Sequence, residues 1–372
     1  MDRIVFAINS LAGGGAERVF ACIAGHSRER LSDRELIVAL LDDEPAAYAL
    51  PEWIRVVQFD ARHRLLPSVT ALRRLILAER PTALLSFLTR ANLAAAWAVR
   101  GTDTRWVASE RVDTYAHLGR GKHGAISRGL VRIAYPRADS VVAVSGGVAD
   151  GLVARFGVER DRVSVIPNPV DVEHIRRQAA DESPIALPSR FIAAMGRLVP
   201  NKNFELLLRA YADSAVAQDL VLMGEGPEGE RLQSLAAALG CADRVHFVGF
   251  AANPFAILAR AEFFVLPSNA EGFPNSLVEA MACGIPVVST NCASGPSEIL
   301  ASAPREQITG TRETPAGIIV PPDDVAAMRD ALRRMDNTAL RYSMAGAATN
   351  LVQEYTVSRA VHSFWDIIDA KA

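Results

Sequence analysis

Two glutamates, Glu271 and Glu279, flank the start of a predicted helix within the stretch from Ser268 to Thr290. Asn275 is a good N-cap, and the residues after it predict a helix over 276–282. The free N–H groups and positive dipole end of a helix favour an anion such as a diphosphate, while a carboxylate accepts hydrogen bonds from hydroxyl groups. The pattern fits a site for a diphosphate beside hydroxyls, and equally fits two acids that only complement the helix dipole.

Two cations, Arg197 and Lys202, precede this block on a predicted strand-to-helix loop that follows Gly196 and leads to the probable N-cap Asn203. A pair of cations neutralises a diphosphate well. Each alone would be an ordinary surface charge. Both, however, follow a strand at the sheet edge where the loop of Glu271 is also expected, which favours a shared site.

Three consecutive glycines, Gly13, Gly14 and Gly15, follow the first predicted strand and precede a helix, so that bare backbone can approach a ligand closely. Their spacing matches neither the Walker loop nor the glycine fingerprint of dinucleotide binders. Generic ATPase and dehydrogenase functions are therefore disfavoured. A tight strand-to-helix turn without a ligand remains the alternative.

These residues need a scaffold, and the chain of 372 residues is long enough for two domains. Apolar runs alternate with helical patterns in both halves, which predicts two similar α/β domains with parallel sheets. We expect a first domain over 1–170, a linker over 171–190, a second domain over 191–355 and a C-terminal helix over 356–372 that packs back on the first. Strands are predicted at 4–8, 35–41, 54–59, 83–87, 105–109, 140–144, 163–166, 191–196, 220–224, 245–250, 263–267, 286–291 and 317–321.

The formal net charge of −2 argues against an overall basic nucleic-acid binder. Charge is nevertheless uneven, because residues 53–137 carry fifteen basic against five acidic side chains. The end of this region predicts either an anionic membrane surface or a solvated helix face. Its basic residues are Arg120, Lys122, His123, Arg128, Arg132 and Arg137, and its apolar residues are Leu130, Val131, Ile133 and Tyr135.

The cysteines, Cys22, Cys241, Cys283 and Cys292, show neither the close pairs of a zinc site nor the density of a disulfide scaffold. A reducing cytosol fits them best. The N-terminus predicts a first strand rather than a signal peptide, and no apolar run is long enough for a transmembrane helix. We expect a cytoplasmic protein, or one that is peripheral on the inner face of the cytoplasmic membrane.

Five motifs together resemble family four of the retaining glycosyltransferases, whose two-domain fold is called GT-B. The resemblance spans nearly the whole chain, and the two glutamates with the upstream Arg and Lys are its most specific part. The motifs are GGGAER, VIPNPVD at 165–171, GRLVPNKN at 196–203, GEGP, and EGFPNSLVEAMACGIPVVST. The fold that the resemblance implies is two Rossmann-like domains that face each other across a cleft.

The resemblance also implies roles. Glu279 would bind the nucleotide ribose, Glu271 would lie near the donor sugar, and Arg197 and Lys202 would hold the diphosphate. The glycine loop 13–15 would approach the donor phosphates from the other domain. Backbone groups would complete the donor site at Phe273, Pro274, Asn275 and Ser276.

Within the family, SERVD at 109–113 and GPSEIL look most like bacterial enzymes that build lipid-linked glycans and exopolysaccharides. This implies retaining transfer of a hexose, from a UDP-sugar in preference to a GDP-sugar, to a glycan or a polyprenyl-diphosphate-linked glycan. The acceptor side would include Arg111, Asp113 and His117, with His123 as a rival to His117.

No cofactor and no metal are expected, because nothing resembles the Asp-x-Asp metal site of the other main glycosyltransferase fold. Two alternatives stay open at this point. One is a nucleotide-sugar epimerase of the same fold, and the other is a non-catalytic sugar-binding subunit. Acceptor-dependent release of a nucleoside diphosphate would separate a transferase from both.

Overall fold

The structure, a computed structural model, describes residues 2–119, 121–183 and 185–370. It divides into two compact units. The first unit comprises Met1–Pro169 and Val357–Ala372, and the second unit is Val170–Thr356. Each unit contains a seven-stranded sheet with helices. In the described part of the chain, no helix is both long and apolar enough to cross a membrane.

The sheet of the first unit is parallel throughout, in the order β3-β2-β1-β4-β5-β6-β7. Its strands are β1 Arg3–Ile8, β2 Glu35–Leu40, β3 Arg55–Gln58, β4 Ala83–Phe87, β5 Arg105–Glu110, β6 Ser140–Ala143 and β7 Val163–Val165. Its helices are α1 Gly15–Gly25, α2 Arg28–Leu31, α3 Leu65–Glu79, α4 Thr89–Ala98, α5 Thr114–His117, α6 Lys122–Ala134, α7 Gly146–Phe156 and α16 Val357–Asp369. The central strands are apolar along their length because helices cover both faces of a parallel sheet.

The last helix, α16, is part of the core of the first unit. Phe364 and Trp365 are fully buried, and the Trp365 ring lies 6.0 Å from the Phe6 ring. The Trp365 indole N–H donates to the Ser27 hydroxyl at 2.8 Å. The Arg105 guanidinium donates to the carbonyl oxygen of Ile367. The amphipathic spacing of α16 thus places its apolar stripe against β1 and α1.

The sheet of the second unit has the order β10-β9-β8-β11-β12-β14-β13, and its six parallel strands are joined by one antiparallel edge strand, β13. Its strands are β8 Phe191–Met195, β9 Asp219–Met223, β10 Val245–Gly249, β11 Phe263–Leu266, β12 Val287–Thr290, β13 Arg312–Thr314 and β14 Gly317–Val320. Its helices are α8 Val172–Ala179, α9 Phe204–Ser214, α10 Gly229–Ala238, α11 Pro254–Leu258, α12 Asn275–Ala282, α13 Pro296–Ala301, α14 Val325–Arg334 and α15 Thr338–Leu351. The sequence did not predict β13, because this short strand carries no apolar run.

The segment 171–190, expected to be a linker, contains helix α8 and belongs to the second unit. The Asp171 carboxylate caps the helix by accepting the N–H of His174 at 2.9 Å. Val172 and Ile175 are buried, and α8 packs on α11 and α12. Two apolar residues three positions apart, after an acidic N-cap, are a signal for a helix. The polar composition of the segment concealed this signal.

Candidate active site

Lys202 and Glu271 form an ion pair at the carboxyl edge of the second sheet. The lysine Nζ lies 2.6 Å from the glutamate Oε1, and the Ser268 hydroxyl donates to the same oxygen at 2.6 Å. The two charged side chains are 23% and 10% exposed. Lys202 comes from the loop after β8 and Glu271 from the loop after β11, which are neighbouring strands. The structure therefore brings these two predicted residues together.

Asparagines hold the two loops in place. The Asn201 amide donates to the carbonyl oxygen of Ala270 at 2.7 Å, and the Asn201 carbonyl accepts the N–H of Asn269 at 2.9 Å. The Asn203 amide donates to the Asn269 side chain at 2.8 Å and to the Asp323 carboxylate at 2.9 Å. The loops after β8, β11 and β14 are thereby tied together around the ion pair. Sequence reasoning treated Asn203 only as an N-cap and missed Asn201.

Arg197 follows β8 and is exposed. Within the described part of the chain, its side chain has no hydrogen-bond or ion-pair partner. The segment that carries Arg197 lies against the turn after β9. A Cβ on Gly224 would stand 2.0 Å from the Gly196 oxygen, and one on Gly226 would stand 2.4 Å from the Leu198 oxygen. The GEGP turn therefore uses its glycines for close backbone packing, and positions a free guanidinium at the strand edge.

Helix α12 begins at Asn275, so the prediction of Asn275 as N-cap was wrong. Pro274 precedes the helix, and its side chain has no atom that accepts a hydrogen bond. The carbonyl of Pro274 accepts the N–H of Leu277 at 3.0 Å, and that of Phe273 accepts the N–H of Asn275 at 3.0 Å. The Phe273 ring is buried against Tyr355, with the ring centroids 5.4 Å apart. Phe273 and Pro274 thus fix the start of the helix through packing.

The loop after β12 packs against the segment that precedes α12. The Ser294 hydroxyl donates to the backbone oxygen of Glu271 at 2.5 Å. Gly295 has φ +96, and a Cβ there would stand 2.4 Å from Pro274 Cδ. Glycine is needed at this position because of both the left-handed backbone and the close contact. Asn275 and Ser276, in the first turn of the helix, are half-buried.

Glu279 lies on α12 beyond its first turn and is buried. The charges of the site affect two thiols, the half-buried Cys283 and the buried Cys292. Burial, together with the charge of Glu279, raises the pKa of Cys283 to about 12. Burial and the charge of Glu271 raise the pKa of Cys292 to about 12, against the opposing charges of Lys202 and Arg305. Both thiols are neutral near pH 7 and offer no nucleophile.

In the first unit, the glycine loop lies at the carboxyl end of β1. Gly13 has φ +119, and Gly13 and Gly15 are exposed. Gly14 is the residue before α1, and its carbonyl accepts the N–H of Arg18 at 3.1 Å. Burial, with a contribution from the charge of Glu44, raises the pKa of Glu17 in the first turn. The loop presents bare backbone at a helix N-terminus, as the sequence predicts.

Arg111, expected on the acceptor side, lies inside the first unit and is only 4% exposed. Its guanidinium donates to the Ile166 carbonyl at 3.3 Å and to the Asn168 side chain. It also lies 5.5 Å from the Phe87 ring and 5.7 Å from the Phe364 ring. Burial lowers the pKa of Arg111 to about 9. These contacts join β4, the segment after β7 and α16, and place the side chain in the interior.

Asp113 and His117 belong to the short helix α5 and its start. The half-buried Asp113 carboxylate accepts the N–H of Tyr115 at 3.0 Å and so caps the helix. His117 is the last residue of α5. The side chains of His117 and of its rival His123 lie outside the described residues.

In the basic region near α6, the apolar residues that are exposed differ in part from those expected. Val131 and Tyr135, expected on the surface, are fully buried in the first unit. Ile133 is exposed as expected, and the other exposed large apolar residue of α6 is Ile126. Helical spacing explains the burial of these two residues, because positions 131 and 135 share one face, and α6 packs on α4 and α7. The exposed Tyr115 ring lies 5.1 Å from the guanidinium of Arg128 and 4.4 Å from that of Arg155. Arg120 lies outside the described residues.

A fully buried carboxylate, Glu110, was missed by sequence reasoning. It accepts the Tyr135 hydroxyl at 2.5 Å, the Thr89 hydroxyl at 3.0 Å and the N–H of Arg111 at 3.1 Å. Burial and the charge of Glu110 raise the pKa of Tyr135 well above its ordinary value. A glutamate at the end of an apolar strand is the signal for such a network. The hydrogen bonds of Glu110 fix the end of β5, and Arg111 is the next residue.

A second charged cluster lies after β2. The Asp42 carboxylate is buried and pairs with Arg90, and His63 Nδ1 lies 3.4 Å from it. The other imidazole nitrogen of His63 lies 3.7 Å from Glu44. Asp42, Glu44 and His63 could each offer a ligand atom to a metal ion. Because Arg90 already neutralises Asp42, the cluster fits an ion-pair network better than a cation site.

Comparisons with known proteins agree with this architecture. A family model described as "Glycosyl transferases group 1" matches residues 176–349, and "Glycosyltransferase Family 4" matches residues 13–174. A relative in Campylobacter jejuni is 31% identical over 310 residues, which are 80% of this chain and 83% of the relative. It is named N-acetylgalactosamine-N,N'-diacetylbacillosaminyl-diphospho-undecaprenol 4-alpha-N-acetylgalactosaminyltransferase.

Two solved structures show the same fold. The apo form of lipopolysaccharide outer core galactosyltransferase WaaB aligns with TM-score 0.74 at 21% identity, and covers 98% of this chain and 99% of its own. Anabaena HepE in complex with UDP aligns with TM-score 0.74 at 21% identity, and covers 98% of each chain. The two parallel-sheet units therefore define a GT-B glycosyltransferase fold. The chain belongs to glycosyltransferase family 4 and is a glycosyltransferase.

Proposed function

We propose that the protein transfers a hexose from a UDP-sugar to a glycan or a polyprenyl-diphosphate-linked glycan, with retention of configuration at the anomeric carbon. This proposal rests on the arrangement of charged side chains at the carboxyl edge of the sheet in the second unit. There, the exposed and unpaired Arg197 stands on the same strand-to-helix loop as Lys202, which Glu271 holds at 2.6 Å. These are donors arranged for an anion beside an acceptor for hydroxyl groups.

Charge stabilisation is the main task of these residues. As the bond between the sugar and the diphosphate breaks, negative charge develops on the leaving phosphate oxygens. Arg197 offers five N–H donors that no protein group occupies in the described part of the chain, and Lys202 offers a positioned ammonium group. Fixed donors need no reorganisation during the reaction, which makes them effective.

The remaining donor contacts follow from the two glutamates and the start of α12. Glu271 accepts from hydroxyls of the donor sugar, and Glu279 accepts from the ribose. The backbone of residues 273–276 faces the diphosphate, because the N-terminal end of a helix favours an anion. In the first unit, the exposed Gly13 and Gly15, on either side of the half-buried Gly14, offer backbone at the N-terminal end of α1.

Retention follows if the acceptor hydroxyl attacks on the face from which the diphosphate leaves. The leaving phosphate oxygen then takes the proton of that hydroxyl, so the step needs no strong protein base. Support comes from the family, and from the relative whose printed name specifies an alpha linkage. The test is the anomeric configuration of the isolated product by NMR. An alpha product from an alpha donor supports retention, and a beta product contradicts it.

Metal independence is part of the proposal. Arg197 and Lys202 supply the positive charge that a divalent ion would otherwise supply to the diphosphate. We expect turnover to persist in excess EDTA. A strict requirement for added Mg²⁺ or Mn²⁺ would contradict this part.

On the acceptor side, we propose that Asp113 and His117 take part in binding the acceptor and that Arg111 fixes the chain at the end of β5, just before them. The buried guanidinium of Arg111 supports a positioning role, since it is held by Asn168 and two aromatic rings. The exposed Ile126 and Ile133 of α6, interleaved with Arg128 and Arg132, support contact with an anionic membrane surface.

The test of the membrane contact is co-sedimentation with vesicles of anionic lipid against vesicles of neutral lipid. Binding to the anionic vesicles alone is expected. Equal co-sedimentation with anionic and neutral vesicles would contradict membrane contact. The proposed localisation would then be cytoplasmic alone.

The donor itself is tested by a thermal-shift screen over UDP-, GDP- and ADP-sugars. A ligand that binds only the folded state at about 100 times its Kd adds about 2.7 kcal/mol of stability. We expect UDP-sugars to raise the melting temperature most. A larger shift with GDP-sugars would identify guanine, rather than uracil, as the nucleobase of the donor. No shift with any of the three would contradict the donor site.

A further inference from the structure

Phe250 is an aromatic side chain in an unusual position. Its side chain is 78% exposed, and it follows the last residue of β10 directly. A phenyl ring left in water forgoes the free energy that burial of its apolar surface would contribute. An exposed ring at the carboxyl edge of an α/β sheet lies where such sheets bind their ligands.

Strand register places Phe250 in one row with the cations. Met195 pairs with Met223, and Met223 pairs with Gly249, so the ends of β8, β9 and β10 stand side by side. The Gly196 N–H donates to the Met223 carbonyl at 3.0 Å, which continues the row past the strand end. Adjacent strands lie about 4.8 Å apart, which places the residue after β10 about 10 Å from the residue after β8.

The backbone of Phe250 is held by the turn that also supports Arg197. Its N–H donates to the Glu225 carboxylate at 3.3 Å, and the Gly224 N–H donates to the Gly249 carbonyl at 2.7 Å. Gly224 in turn packs against the Gly196 oxygen. The exposed ring and the free guanidinium are therefore connected through one short turn.

We propose that Phe250 is the stacking platform for the nucleobase of the donor. A nucleoside diphosphate has a planar aromatic base at one end, an anionic diphosphate at the other and a ribose between them. The edge of the second unit offers a planar apolar ring at one end of a row and the cations Arg197 and Lys202 at the other. Base stacking on an aromatic side chain suits any base, because every base has a π-face. This inference rests on the proposed function.

The test compares Phe250→Ala with Tyr342→Ala in the full chain. Tyr342 is the matched control, because it is also 78% exposed in the second unit but lies on α15. Calorimetric titration with UDP measures the whole nucleotide, and titration with inorganic pyrophosphate measures the diphosphate without the base. Circular dichroism melts confirm that each variant is folded.

We expect Phe250→Ala to weaken UDP binding about tenfold, the order of one base-aromatic contact. Pyrophosphate binding should stay unchanged, Phe250→Trp should restore UDP binding, and Tyr342→Ala should behave as wild type. Because stacking is present in both ground and transition states, KM for the donor should rise while kcat stays the same.

Unchanged UDP binding in Phe250→Ala would overturn the inference, as would an equal loss of pyrophosphate binding. Either outcome leaves the proposed function intact as long as wild-type protein binds UDP. Failure of the wild-type protein to bind UDP, with Phe250 in place, would instead contradict the proposed donor.

Discussion

The pairing of Lys202 with Glu271 sets how each can act. The Glu271 carboxylate, 2.6 Å from the Lys202 ammonium nitrogen, orients that ammonium group, and both side chains are largely shielded from water. The same carboxylate keeps further lone pairs for hydroxyl groups, because an ionised carboxylate has about four acceptor sites. One pair therefore serves both the diphosphate and the sugar in the proposed site.

Lys202→Met tests this pairing, because methionine keeps much of the length of the side chain and removes its charge. We expect kcat to fall on the order of 100-fold or more, as for loss of one charge-stabilising donor. The variant should still fold, but with a lower melting temperature, because the shielded Glu271 carboxylate loses its partner. Steady-state kinetics beside a thermal melt measure both, and near-normal turnover in a folded variant would contradict the role.

The stability of the first unit should vary with pH because of Asp42. Burial raises the pKa of this carboxyl, but hydrogen bonds from Arg90 and from the N–H of His63 outweigh it and hold the pKa below its ordinary value of 3.8. A carboxylate whose pKa is depressed by folding contributes stability that is complete above its unfolded pKa. That stability is lost as the pH falls through the folded value.

Asp42→Asn should therefore be less stable than wild type at pH 7, and the difference should shrink as the pH falls below 3.8. Urea unfolding at a series of pH values from neutral to acid measures the free energies. If the difference between the two proteins were the same at every pH, the Asp42 to Arg90 pair would not be its source.

At the scale of elements, the turn after β9 decides where Arg197 stands. Gly224 combines φ +132 with a backbone contact that leaves no room for a Cβ, which would stand 2.0 Å from the Gly196 oxygen. Gly240 offers a matched comparison, because it has φ +69 but open space around the position of a Cβ.

Gly224→Ala should lower the free energy of unfolding by about 1 to 3 kcal/mol and weaken nucleotide binding as well, since the loop of Arg197 must move. Gly240→Ala should cost about 1 kcal/mol and leave binding unchanged. Chemical unfolding with UDP titration checks both variants. Equal effects of the two substitutions would show that the contact with Gly196 does not matter.

Element types were predictable from sequence where one local pattern dominates. The parallel strands that place Arg197 and Glu271 at one edge are short apolar runs that end at a glycine or a proline, and the structure has strands at all of the predicted positions. The start of α12 was displaced by one residue because packing of Phe273 and Gly295 fixes it, rather than a side-chain cap. Helix α8 was missed because two buried residues give little signal among polar neighbours.

Contacts between distant segments were beyond the sequence. The burial of Arg111 depends on Asn168 and on Phe364 of the last helix, and no local pattern shows that these meet. The loops around Lys202 likewise depend on Asp323, far along the chain. Residue type and spacing gave the donors and acceptors of the candidate site, but tertiary packing determined which of them are exposed.

At the scale of the whole molecule, the last helix completes the first unit rather than the second. Trp365 and Phe364 of α16 are fully buried among the aromatic rings of that core. Removal of a large buried aromatic side chain costs about 3 to 5 kcal/mol. The stability of the N-terminal sheet therefore depends on residues near the end of the chain.

Trp365→Ala should lower hydrogen-exchange protection of β1 to β7 strongly and leave β8 to β14 little changed. His362→Ala, at an exposed position of the same helix, is the control and should leave both sheets protected. Hydrogen exchange read by mass spectrometry separates the two units. Equal loss of protection in both sheets would contradict the assignment of α16 to the first unit alone.

The role proposed for Arg197 is to bind the diphosphate of a nucleotide-sugar at the carboxyl edge of the second unit. The most direct measurement is calorimetric titration of UDP into Arg197→Ala and into Arg209→Ala, an exposed arginine of the same unit that pairs with Glu205 on α9. We predict that Arg197→Ala binds UDP at least about tenfold more weakly than wild type, the order of one lost charge-assisted contact, while Arg209→Ala binds it normally. Equal UDP affinity in wild type and Arg197→Ala would contradict this role of Arg197.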